Sequence, residues 1–342
     1  MRMFRTPQRR TRATNMAIAV AAIMLLSGAS PAEPTPADPL LDEVLISGEQ
    51  PGPAMWKVSR DGHTMWIVGT LTPLPSKMTW RSRQVEDVIS RSGEILGGYS
   101  SHAKVKGGWF TGIRMLPAVM RLRFNADGKT LREVLPPATY SRWSALHRQF
   151  FGHDPDPKER ARPAYAAGLL YDRALEKSGL SERQVVWPVV TDLARRHKVR
   201  IRELELNVPV DDPKGILHEL QQPASAREIA CLDTILDRIE HDLPNMKRRA
   251  QAWAVGDVAT IRALPNVFQQ QTCFDALMER PKLKQLIDEQ IAKVNADRPR
   301  IISYMIAAHE NSFTVQPIEE LLGEKGLLAE LRAAGYTIEE PM

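Results

Sequence analysis

The sequence predicts an α/β protein. Its mixed sheet is built from N- and C-terminal segments, with a helical insertion in the middle. Three observations predict this. Two β-prone runs, WKVSR and HTMWIV, flank Asp61-Gly62. The middle of the chain carries apolar residues at helical spacing, as in Ile229, Leu232, Ile235, Leu236 and Ile239. The C-terminal stretch reads as an apolar strand (IISYMIAAH), a helix (EKGLLAELRAAG) and a last short strand (YTIE).

Asp-Gly between β-prone runs favours a two-residue type I′ turn, so residues 56–68 form a hairpin. A helix is expected over 80–92, with Val85, Val88 and Ile89 on one face, and then a short strand, EILGGY, over 94–99. Helical signals resume in LREVLPPATYSRWSALHRQFF. VVTDLARRHKVRIRELEL reads as a helix passing into a strand that ends near Glu205. Ser225 to Glu228 forms a capping box that opens a helix. Two further helices are expected around NMKRRAQAWAVGD and RPKLKQLIDEQIAKV. Gly335 supplies the left-handed cap of the C-terminal helix. Tandem repeats and heptad arrays are absent.

Residues 1–32 read as an address. Arg2, Arg5, Arg9, Arg10 and Arg12 form a positive region, and Ala17 to Leu26 is an apolar core. Ser30-Pro31-Ala32 then offers small residues for cleavage after Ala32. The apolar core is shorter than the ~20 residues a membrane span needs. The expected location is periplasmic or secreted, with no stable membrane anchor after cleavage. Residues 33–54 hold five prolines in 22 positions and read as a leader or linker that orders on contact. The domain is expected over 55–342.

The chain has 46 basic and 41 acidic residues, for +5. Residues 1–32 contribute five arginines and no acid, so the remainder has 46 − 5 = 41 basic against 41 acidic residues, for zero. No basic excess remains to argue for an anionic membrane surface, and no nucleic-acid partner is expected. Cys231 and Cys273 are the two cysteines. In an oxidising compartment the pair suggests a disulfide worth roughly 3–4 kcal/mol, two buried thiols being the alternative. With no Cys/His cluster, structural zinc is not expected.

TMWIVGTLTPLP, residues 64–75, ends an apolar run in Gly69, Thr70 and Thr72 and then in prolines. Strand ends of this kind form the lips of sites in α/β proteins. SYMIAAHE, residues 303–310, echoes it, so Thr72 and His309 could share a cleft if both strands lie centrally in one sheet. A G-x-S-x-G elbow and a glycine-rich phosphate loop are both missing. Trp109, Trp143, Trp187 and Trp253 are scattered and read as core.

WKVSRDGHTMWIVGTLTPLP resembles the opening of the TraB/GumN family, relatives of the Tiki metalloproteases. The family's first motif is a strand ending G-x-x-H before proline-rich sequence. Its last is another apolar strand ending G-x-x-H, followed by G-L-L-x-x-L-x-x-x-G-Y. Gly326 to Tyr336 matches the latter stretch. IRELEL resembles the family's L-E-T strand, with Glu205 at its glutamate, and AWAVGD (252–257) and Arg280 also fit. The resemblance covers about residues 55–340. It implies a cleft in which two histidines and acidic residues hold a divalent metal for hydrolysis.

The chain departs from that pattern. Thr72 stands where the first histidine belongs, and Gly97 and Gly98 lie where a glutamate is expected, with Glu94 several residues early. Matched to the last motif, Ile306 to His309 keeps the histidine and loses the glycine. The expectation is a degenerate, non-catalytic member without a cofactor, whose cleft binds a peptide, glycan or protein. Gly69, Thr70, Thr72, Glu94, Glu205 and Arg280 are expected to line it, with His309 as the surviving catalytic candidate. The alternative is a metal-dependent hydrolase with a rebuilt ligand set of His309 with Glu94, Glu205 or Glu310. A tetrapyrrole-binding protein follows only from distant fold analogy.

Overall fold

The computed structural model describes residues 48–264, 273, 276, 279–324 and 326–341. The expected leader, with cleavage after Ala32, lies outside these residues. All described residues fall within one compact unit, Asp38–Met342.

The strands are β1 (Glu49–Gln50), β2 (Met55–Arg60), β3 (His63–Thr70), β4 (Leu74–Pro75), β5 (Thr79–Trp80), β6 (Glu94–Val105), β7 (Leu180–Ser181), β8 (Arg200–Val210), β9 (Asn311–Pro317) and β10 (Thr337–Glu339). The helices are α1 (Arg83–Ile89), α2 (Gly108–Arg121), α3 (Leu131–Val134), α4 (Pro137–Phe151), α5 (Pro163–Lys177), α6 (Trp187–His197), α7 (Pro213–Leu220), α8 (Ala226–Asp237), α9 (Leu243–Ala254), α10 (Val258–Ala263), α11 (Pro281–Ala308), α12 (Ile318–Leu322) and α13 (Leu327–Ala333). A π-helical turn, Arg238–Asp242, joins α8 to α9.

The main sheet has six strands in the order β10-β2-β3-β9-β6-β8. The hairpin forms as expected: Arg60 pairs with His63, and Asp61 and Gly62 both adopt positive φ. β9 inserts parallel to β3, with Thr64 opposite Asn311 and Thr70 opposite Pro317. Its other side pairs with the first three residues of β6. Trp56, Met65, Ile67, Val68, Ile95, Leu96, Phe313 and Val315 are buried in the core. β3 and β9 are central strands largely buried on both faces, which is why β3 reads as a near-continuous apolar run.

Four elements differ from the sequence-based expectation. IISYMIAAH is the last part of α11, not a strand. Its burial shows why: Ile302, Met305 and Ile306 are buried while Ser303 and Tyr304 are exposed, a helical rather than an alternating spacing. The C-terminal strand is instead NSFTVQP, β9, whose mixture of polar and apolar residues concealed it. β6 and β8 are also longer than predicted, because beyond Leu96 they continue as a pair that β9 does not join.

Residues 49–54 pack against the domain. β1 pairs parallel to β5, and the Gly52 amide donates to the Ala254 carbonyl at 3.0 Å. The helical insertion is tied by a buried ion cluster: Glu228 on α8 accepts from Arg162, at the start of α5, and from Arg280, at the start of α11. Ser225 caps α8 by accepting from the Glu228 amide at 3.2 Å, but the Glu228 carboxylate is taken up by the two arginines.

Cys231 and Cys273 are joined as a disulfide, with Cα atoms 4.7 Å apart. The loop-entropy argument predicts that replacing both cysteines by serine costs about 4 kcal/mol. Thermal unfolding of wild type with and without reductant, beside the double variant, checks this: reduction should lower the wild-type Tm by several degrees and leave the variant unchanged.

Candidate functional site

The site is framed by the C-terminal ends of β3 and β9. Gly69 is needed there because of close packing: a Cβ on it would lie 3.0 Å from the Trp56 ring and 3.2 Å from Ile318 Cγ1. Its carbonyl accepts a 2.9 Å hydrogen bond from the buried Trp253 indole. AWAVGD therefore has a structural task. Trp253 near the end of α9 straps the helical layer to the end of β3, Gly256 turns the chain at positive φ, and Asp257 caps α10 by accepting from the Thr260 amide.

Beside this junction lies a cleft of about 640 Å³, lined by Leu71, Arg249, Ile261, Arg262, Ala263, Leu264, Ile318, Glu319, Leu322 and Gly323. Most of the lining is aliphatic, with a few polar groups. Arg249 reaches the cleft already engaged: it is buried and makes a two-pronged pair with the buried Asp242 carboxylate, at 2.7 and 3.2 Å. Asp242 closes the π-helical turn, whose Arg238 guanidinium lies 5.3 Å from the centre of the Tyr171 ring. Burial pushes the Tyr171 hydroxyl up to about 12, so it stays protonated at neutral pH. Burial also raises the Glu319 carboxyl above the usual carboxylate range, against the opposing pull of Arg249.

The predicted site residues divide between two edges of the sheet. Gly69, Thr70 and Thr72 stand at the cleft edge, next to Leu71. His309 does not join them. It follows α11 and precedes β9, so it lies at the opposite edge, where its carbonyl faces His63 Nδ1 at 2.9 Å. In the parallel register of β3 and β9, the two ends are separated by six residue steps, about 20 Å. The shared cleft for Thr72 and His309 is therefore overturned, because the run taken for a strand is a helix that delivers His309 to the start of β9.

Glu94 accompanies His309, at the start of β6. Its buried carboxylate is held by Arg202 at 3.0 Å, Arg200 at 3.4 Å and His309 Nε2 at 3.4 Å. The His309 ring also lies over Gly93, where a Cβ would meet Nδ1 at 2.4 Å. Glu205 stands about five residues, or 16 Å, further along β8 than Arg200, and its side chain lies outside the described residues. Glu310 is exposed and its carbonyl accepts from the Thr64 amide. Arg280 is committed to Glu228 and to the Pro223 carbonyl, both at the helical insertion. Gly97 and Gly98 form a bulge, because β6 advances from Leu96 to Tyr99 while β8 advances from Arg202 to Leu204.

The strand that ends beside Gly69-Thr70-Leu71-Thr72 finishes in Gln316-Pro317-Ile318-Glu319-Glu320, without glycine or histidine. Sequence reasoning missed Ile318 and Glu319, because it placed β9 too early in the chain, and it missed Arg249 on α9, whose pairing with Asp242 only the fold reveals. The donors at this edge do not fit the divalent metal that the resemblance implies: a threonine hydroxyl and glutamates beside an arginine leave no imidazole in the set. The His309–Glu94 pair does not fit either, since two guanidinium groups already neutralise the carboxylate. Among the described residues, Asp237, Glu240 and His241 form a close group, but Arg142 lies across its two carboxylates at 2.5 and 2.6 Å.

Comparison with known proteins agrees with the landmarks. The TraB/PrgY/gumN family matches residues 54–340, nearly the whole described unit. No curated protein and no solved structure matches the chain. With a match of this extent, and with the hairpin, the AWAVGD strap and the GLLAELRAAGY terminus joined in one fold, the chain belongs to the TraB/PrgY/gumN family.

Proposed function

We propose that this is a secreted member of the family that does not catalyse hydrolysis and uses the cleft at the C-terminal edge of β3 and β9 to bind a peptide or protein segment with apolar side chains. The observation that carries the reading is the pair of strand ends: Thr72 on one, Gln316 to Glu320 on the other, and no histidine on either. The lining favours apolar side chains over a glycan, because Leu71, Ile261, Leu264, Ile318 and Leu322 offer few hydrogen-bonding atoms. Glu319, protonated more readily than an ordinary glutamate, supplies a hydrogen-bond donor or acceptor that fixes the ligand's orientation.

The alternative, a metal-dependent hydrolase rebuilt around His309, has the 3.4 Å approach of His309 to Glu94 in its favour. Against it stands the cation already supplied there by Arg200 and Arg202. A metal bound to one imidazole and one carboxylate would have to displace both guanidinium groups.

Two outcomes follow. The purified protein should give no turnover of a mixed peptide library with zinc, manganese or cobalt. Turnover that needs added metal would overturn the reading in favour of the alternative. Glu319→Gln checks the cleft carboxyl through stability. A carboxyl whose folded pKa is raised disfavours folding when ionised, so that cost is present above its folded pKa and disappears as pH falls below it. The variant should therefore raise the Tm at pH 8, with the gain shrinking toward pH 4.

A further inference from the structure

α2 is apolar on two faces. Thr111, Met115, Ala118 and Leu122 are the half-buried side, and α2 rests on β6. The opposite side consists of Phe110, Ile113, Leu116 and Met120, which are 64, 57, 55 and 48 % exposed. With Val119 and Phe124, these are six of the ten large hydrophobic side chains that stand exposed among the described residues. A contiguous apolar face of this kind marks an interaction surface.

Charge says what kind of surface it meets. Residues 95–126 contain no aspartate or glutamate, but carry Lys104, Lys106, Arg114, Arg121 and Arg123. Each of these five is exposed, and none makes an ion pair among the described residues. Seven residues apart, Arg114 and Arg121 lie together along one border of the outward apolar face on a helical projection. At the end of β8 the next acids are Asp211 and Asp212, and Asp212 is already held by Lys282. The near-zero charge of residues 33–342 conceals this segregation.

We infer that α2 is an interfacial helix that docks the protein on an anionic phospholipid surface. Phe110, Ile113, Leu116 and Met120 enter the boundary between headgroups and acyl chains, and Arg114 and Arg121 meet lipid phosphates. At 14 residues the helix is about 21 Å long, so it lies on a bilayer and does not cross it. The site is separate from the sheet-edge cleft, and this inference does not rest on the function proposed for that cleft.

The test is vesicle co-sedimentation of the full chain, and of the chain without residues 1–32, whose apolar leader would adsorb by itself. Vesicles of pure phosphatidylcholine are compared with vesicles in which one quarter of the lipid is phosphatidylglycerol. Binding should require the anionic lipid and should weaken in ~1 M salt, where the Debye length is about 3 Å. Ile113→Glu/Leu116→Glu and, independently, Arg114→Glu/Arg121→Glu should each lower the partition coefficient about tenfold or more. All substituted residues are exposed, so the far-ultraviolet spectrum and Tm should not change. Absence of binding to anionic vesicles, or binding indifferent to either variant, would overturn the inference. So would a concentration-dependent dimer that Ile113→Glu/Leu116→Glu abolishes without any vesicle binding, which would assign the face to a second copy of the chain.

Discussion

The parallel pairing of β3 with β9 is the constraint on which the rest depends. It inserts a strand from the end of the chain beside one from the beginning, and it fixes which residues share a sheet edge. With Thr64 opposite Asn311 and Thr70 opposite Pro317, the segments that leave the two strands emerge at the same edge. Leu71 there shares the cleft with Ile318 and Glu319, and His309 is left at the other edge. A slip of one residue would turn every side chain of β9 to the opposite face. Phe313 and Val315, both buried, hold the register against that slip.

The helical insertion serves the same junction. α9 sends Trp253 to the Gly69 carbonyl and Arg249 to the cleft wall, two residues four apart on one helix face. The π-helical turn before α9 places Asp242 where it neutralises Arg249. The cleft therefore presents a neutralised arginine, a carboxyl whose ionisation burial opposes, and an aliphatic lining. That set suits the binding role proposed for it. A hydrolytic metal centre needs neutral imidazoles and an open coordination position, and neither strand end offers an imidazole.

Much of this was legible in the sequence, and the failures have physical causes. The hairpin could be read because Asp61-Gly62 admits a turn that few other pairs adopt. α8 could be read from its cap and the spacing of Leu232, Ile235 and Leu236. The family landmarks were visible because Trp253, Gly256 and Gly335 answer to local geometry. The last strand was misplaced because a dense apolar run, IISYMIAA, outweighed SFTV, whose Ser312 and Thr314 are buried but polar. Ser312 and Thr314 satisfy their hydroxyls on the carbonyls of Thr64 and Leu96 in the neighbouring strands, a solution invisible without the fold. That single misplacement carried His309 into the wrong cleft and left Glu319 unnoticed.

Metal stoichiometry tests the central claim most directly. The protein, produced without a histidine tag, would be equilibrated with zinc, manganese and cobalt, freed of excess metal and subjected to elemental analysis beside His309→Ala. The account predicts far less than one equivalent of any metal in both proteins, because neither strand end supplies a ligand set and the Glu94 carboxylate is already paired. About one equivalent in the wild type, lost in His309→Ala, would contradict it and establish a metal centre at the opposite edge of the sheet.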